Sequence, residues 1–222
     1  MDKQVEKALR ASLSEFSEIS KIKVSDFNRR ISDIFNLDES FMEKVKLMDE
    51  AFDDEPKLDL LREVFFDLLM INFFAEDVKK LEEDYLDSEE WEAIEEETID
   101  RGTELLNVLL YIRECKDEDL EPELEDFLKE FLLVEEDEFQ DEHRIYEDII
   151  ANQILMEASI EEIAKVSNEL PEDSELKDMF YPIMGFFFEP EPDDDDLNDY
   201  IKNSVDPEFD AAVYALLTSF ND

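Results

Sequence analysis

Two glycines, Gly102 and Gly185, and one cysteine, Cys115, occur in 222 residues. Glycines 83 residues apart cannot build a phosphate-cradling loop. One cysteine closes no internal disulfide, and beside the lone His143 it offers no zinc-ligand spacing. Basic residues are scarce as well: 21 Lys and Arg against 67 Asp and Glu leave a net charge of minus 46. Phosphates are repelled by such a body, which argues against direct DNA or RNA binding. Valine-rich alternating runs are missing, and no uninterrupted apolar run approaches the ~20 residues of a membrane span. Nor does a charged-then-apolar leader stand at the amino terminus, so the expected compartment is the cytoplasm.

What is present is apolar mass: 43% hydrophobic residues with 18 Phe, enough for a sizeable core despite the charge. Leu58 to Ala75, LDLLREVFFDLLMINFFA, is apolar at almost every position, broken only by Asp59, Arg62, Glu63, Asp67 and Asn72. A helix greasy nearly all round belongs in the middle of a protein. The expected fold is all-α, a compact multi-helix bundle of about eleven helices around this segment. A degenerate α-solenoid is the variant, hinted at by Phe73, Phe131 and Phe187, each ending an apolar helix, at spacings of 58 and 56.

The remaining helices follow from apolar spacing. Val5, Leu9, Leu13, Phe16 and Ile19 mark a helix over 2–20, and Phe27, Ile31, Ile34 and Phe35 a second one capped by Ser25. These two form a hairpin, residues 1–36, with 6 acids and 7 bases; all the excess acid lies beyond it. Asp38 is expected to cap a helix carrying Phe41, Val45, Met48 and Phe52. Trp91, Ile94, Thr98, Gly102, Leu105, Leu109 and Ile112 share a heptad-like stripe, predicting one long helix over 88–113 with Trp91 as a core anchor, in which Gly102 either kinks the helix or lets a neighbour approach closely. An acidic loop is expected at 114–123, and further helices through Leu124–Phe131, Phe139–Ile154 and Ile160–Val166. Another, carrying Leu176 to Phe187, should kink or stop at Pro182. The expected domain plan is an acidic helical body (1–188), an acidic linker (189–196, EPEPDDDD) and a C-terminal helical pair (197–222) packed on the body.

Glu96-Glu97-Thr98-Ile99-Asp100, followed by Glu114-Cys115-Lys116-Asp117, is similar to the paired acidic motifs of all-α nucleoside triphosphate pyrophosphohydrolases. The resemblance spans about 22 residues and implies magnesium held by carboxylates from two facing helices; Asp100 stands where that family has Glu. On a single helix over 88–113, Glu97 and Glu114 would stand ~26 Å apart, too far to share a metal. No catalytic, metal or cofactor residue is therefore expected, and the chain reads as a non-enzyme.

The acidity itself carries the functional expectation. Glu82–Asp100 holds 11 acids and no base, and Glu114–Glu142 holds 15 acids and 2 bases. Acids three or four apart on a helix form ridges. A compact chain of this length measures ~45 Å across, and duplex DNA of that length carries ~26 charges. Half of the net charge on one face would match it. The expected partner is therefore a positively charged, nucleic-acid-binding protein, sequestered or inhibited by a DNA-like surface, with no membrane and no cofactor involved. The candidate contacts are Glu89, Glu92, Glu96, Asp119, Glu123, Glu135, Glu136 and Glu138. An acidic chaperone or helical scaffold for basic partners is the alternative.

Overall fold

Eleven consecutive side chains, Val64 to Phe74, are buried on one helix, α4 (Arg62–Glu76). Apolar residues on every face leave this helix no stable place but the interior, where Phe65 meets Phe52 and Phe66 meets Phe41. The computed structural model describes residues 1–76, 83–102, 104–130, 146–174 and 176–222. Among them it is 76% helical, with twelve helices in a compact arrangement and no strand.

Before α4 come α1 (Lys3–Ser20), α2 (Ser25–Phe35) and α3 (Phe41–Asp53), then a 3-10 turn at Asp59–Leu61. After it come a single helical turn at Glu83–Leu86, α5 (Glu89–Thr98), α6 (Leu106–Glu118) and α7 (Leu124–Glu130). The series continues with α8 (Glu147–Ala151), a 3-10 turn (Gln153–Glu157), α9 (Ile160–Glu169), α10 (Lys177–Phe188), α11 (Asp194–Asn203) and α12 (Pro207–Asn221).

Several helix ends differ from the sequence reading. Ser40, not Asp38, caps α3, its hydroxyl accepting from the Glu43 N–H; Ser25 is the first residue of α2 and makes no cap bond. The expected helix over 88–113 is two helices, the first ending at Thr98 and the second starting at Leu106. Residues 114–118 belong to α6, which ends at Asp119 in the left-handed region (φ 59°). Pro182 lies within α10 without stopping it. The last three residues of the expected linker are helical: Asp193 accepts from the Asp195 and Asp196 N–H groups in a capping box, and α11 starts at Asp194. A run of aspartates opposes structure in a loop but is favoured at a helix amino terminus, where N–H groups and the dipole attract negative charge.

The amino-terminal pair is not an isolated hairpin. α1 packs most extensively along the carboxy-terminal α12. Gln4 Nε2 donates to the Phe220 carbonyl at 3.1 Å and Lys7 Nζ pairs with Asp222 at 3.0 Å, so the start of α1 lies beside the end of α12. Val5, Leu9, Leu13 and Phe16 are fully buried, as their spacing predicts, and one continuous core includes residues of both terminal helices and α4.

A tyrosine stack joins α10, α11 and α12: the Tyr200 ring lies 4.5 Å from Tyr181 and 4.2 Å from Tyr214, centroid to centroid. Gly185 faces it. A Cβ there would sit 2.5 Å from Tyr200 Cε2, so close approach, not backbone freedom, requires the glycine.

Candidate functional site

The sequence-predicted contacts Glu89, Glu92 and Glu96 lie on α5 at steps of three and four, hence on one face. All three are exposed. Asp119 and Glu123, also exposed, flank the turn after α6. The thirteen residues of α6 extend ~20 Å, so Asp119 lies that far from the α5–α6 connection. Glu135, Glu136, Glu138 and His143 lie outside the described residues, as does Phe131 of the suggested repeat.

α5 is EEWEAIEEET, six glutamates in ten residues. Its inner side is narrow: Ile94 is buried, while half-buried Trp91 packs against Phe74 (5.4 Å between centroids) and Tyr85 (6.2 Å), anchoring the helix to the core as expected. Ser88 caps the start through the Trp91 N–H. Glu89, Glu90 and Glu92 in the first turn suit the helix dipole; Glu95, Glu96 and Glu97 at the other end oppose it, with no base in the last turn. Among the described residues no ion pair involves any α5 glutamate, nor Asp119 or Glu123.

Arg62 and Arg101 are committed elsewhere. Arg62 holds Asp49, Asp53 and Asp59 and lies over the Phe52 ring. Partial burial works against its charge, but the hydrogen bonds to Asp53, Asp59 and Asp49 outweigh it and push the pKa up. Arg101 Nη1 bonds Asp49 at 3.1 Å, its Nε lies 3.1 Å from Glu63 Oε2, and its guanidinium covers Phe66.

Arg101 is one part of a clamp on the α5–α6 connection. Glu63 and Asp67, one turn apart on α4, accept the N–H groups of Gly102 (3.2 Å) and Leu105 (2.9 Å). Asp67 is completely buried, and its Oδ1 has no hydrogen-bond partner among the described residues. Burial drives its carboxyl well above the usual range, the Leu105 N–H opposing and the Glu104 and Glu63 charges reinforcing. The protonated acid is thereby favoured. In the sequence Asp67 reads only as a break in an apolar run; it in fact holds the residue from which α6 starts.

From the middle of α6 the Tyr111 hydroxyl donates to the Glu123 carbonyl and accepts from the Glu123 N–H, both at 3.1 Å, holding the 119–123 turn to the helix. Burial pushes the Tyr111 phenol up, so it stays a neutral donor and acceptor.

Glu97 and Glu114, the carboxylates of the pyrophosphohydrolase-like pattern, stand on different helices. The single-helix spacing that separated them therefore falls away. Among the described residues, however, no three His, Cys, Asp or Glu side chains group as metal ligands. No helix among them is long and apolar enough to cross a membrane. No family model, curated protein or solved structure matches the chain.

Proposed function

We propose that the protein binds a positively charged, nucleic-acid-binding protein by presenting a phosphate-like array of carboxylates, and so sequesters or inhibits it. The observation that carries this reading is α5: six exposed glutamates, none paired among the described residues, three of them at a helix end that disfavours negative charge. Repulsion of this kind costs stability. A cationic surface laid over the ridge relieves it and gains the release of counterions, as it does on DNA. Fixed helical carboxylates also steer a basic partner at long range.

The test is neutralisation without distortion. Glu89→Gln, Glu92→Gln, Glu96→Gln and Glu123→Gln keep helix propensity, and Asp119→Asn keeps a residue that tolerates the left-handed region. The combined variant is expected to capture less of the basic partners taken from a native lysate, with a weaker salt dependence. Challenging the captured partner with DNA or RNA distinguishes a mimic, which is displaced, from a scaffold, which forms a ternary complex. Captured partners that are acidic or neutral, or capture unaffected by neutralisation, would overturn the reading.

A further inference from the structure

A cleft of about 410 Å³ lies where α4, α9, α10 and the α11–α12 junction meet. Val64, Met179 and Phe209, all buried, form its apolar floor, and the lips carry Leu60 and Val205, apolar side chains left 40% and 70% exposed. Glu63, Glu104, Asp178, Asp206 and Asp210 line the wall beside Ser167 and Asn168, and Lys177 is the one cation lining it among the described residues. Lys177 is committed, donating to the Leu170 carbonyl at 2.7 Å and to Glu172 at 2.8 Å. The cleft is thus greasy at the bottom, strongly negative at the sides and edged by exposed apolar groups.

We infer that this cleft receives a lysine or arginine side chain of the basic polypeptide partner, its aliphatic stem on Val64, Met179 and Phe209 and its cationic head among Asp178, Asp206 and Asp210. The inference rests on the reading that the partner is basic. A side chain with an apolar stem and a charged tip matches both parts of the cleft. An anion would meet five carboxyl groups, and a purely apolar residue would desolvate them without compensation.

Asp210 supplies a signature. Burial pushes its carboxyl up to about 7, with the Ser204 hydroxyl opposing and the Asp206 and Asp178 charges reinforcing. The groups around it are the Ser204 hydroxyl, which donates to Oδ2; Asp206 on the junction; Asp178 on α10; and the phenols of Tyr181 and Tyr200, the latter donating to the Asp210 carbonyl oxygen. A cation in the cleft favours the ionised acid. Binding therefore expels a proton and tightens as pH rises, by about tenfold between pH ~6 and ~8 if the complex keeps Asp210 ionised throughout.

The experiment is isothermal titration of the full chain with a short oligo-arginine peptide at about 0.15 M salt, at both pH values. Val205→Arg places a tethered guanidinium on the exposed lip, and Leu37→Arg adds the same charge at an exposed position just after the end of α2, outside the cleft. Val205→Arg is expected to weaken binding at least about tenfold and Leu37→Arg less than about twofold, while Asp210→Asn abolishes the pH dependence. Equal losses in the two arginine variants, or a pH profile unchanged by Asp210→Asn, would overturn the cleft assignment and leave the basic-partner reading standing. Absence of peptide binding by the unmodified chain, even at low salt, would overturn both.

Discussion

The Asp67 carboxyl, sealed inside α4, accepts the backbone N–H of Leu105 at 2.9 Å and so ties the central helix to the connection between the acidic helix α5 and α6. Asp67→Ala leaves that buried N–H unpaired and opens a small void, an expected cost of ~1 to 3 kcal/mol. Asp67→Asn retains the acceptor and loses no charge interaction, because the native acid is held toward its neutral form. Urea midpoints of the two variants check this; an Asn variant as damaged as the Ala variant would show that the ionised carboxylate is what matters.

Asp210 makes stability fall as pH rises. Its folded pKa of about 7 lies above the ordinary 3.8, so the folded state holds the proton more tightly than the unfolded chain between those values. Stability from this group is full below pH ~4 and is lost through pH ~7, up to about 4 kcal/mol in all. Asp210→Asn is expected to raise the melting temperature at pH 8 and leave it nearly unchanged at pH ~4, as seen by calorimetry. A variant less stable at pH 8 would contradict the assignment.

Gly185→Ala sets a methyl against Tyr200, whose ring is pinned between Tyr181 and Tyr214 and cannot swing away. The expected loss is ~1 to 3 kcal/mol in denaturant unfolding. Gly102→Ala meets only the flexible end of Glu104, so it is expected to cost much less. Equal effects at the two glycines would argue against the tyrosine stack as the constraint.

The α5 ridge, unpaired among the described residues, predicts that melting temperature rises from low salt toward ~0.5 M sodium chloride as repulsion is screened. A flat curve would mean that the carboxylates are locally compensated.

The all-α fold, the stripe of α1 and the buried α4 were legible because periodicity reports which face is apolar. It does not report the partner. That α1 lies along α12 depends on contacts more than 200 residues apart, including Gln4 with Phe220. The break between Thr98 and Leu106 was hidden because Thr98, Leu105 and Leu109 keep a heptad-like spacing across it, and the groups holding it, Glu63 and Asp67, looked like polar interruptions of another helix. EPEPDDDD misled for the opposite reason: composition suggests a solvated linker, whereas position makes Asp193 a cap. Exposure of Glu89, Glu92 and Glu96 followed from the helical pattern, and that of Asp119 and Glu123 from the expected acidic loop. The cleft did not, since its walls come from residues 60–64, 104, 167–168, 177–179 and 205–210.

The central claim is most directly tested by competition at the partner. A basic protein captured by the native chain is offered duplex DNA, with the ridge-neutralised variant run in parallel. The account predicts that DNA displaces the partner and that the variant holds it more weakly from the outset. Capture that survives excess DNA and is equally strong with the variant would contradict it.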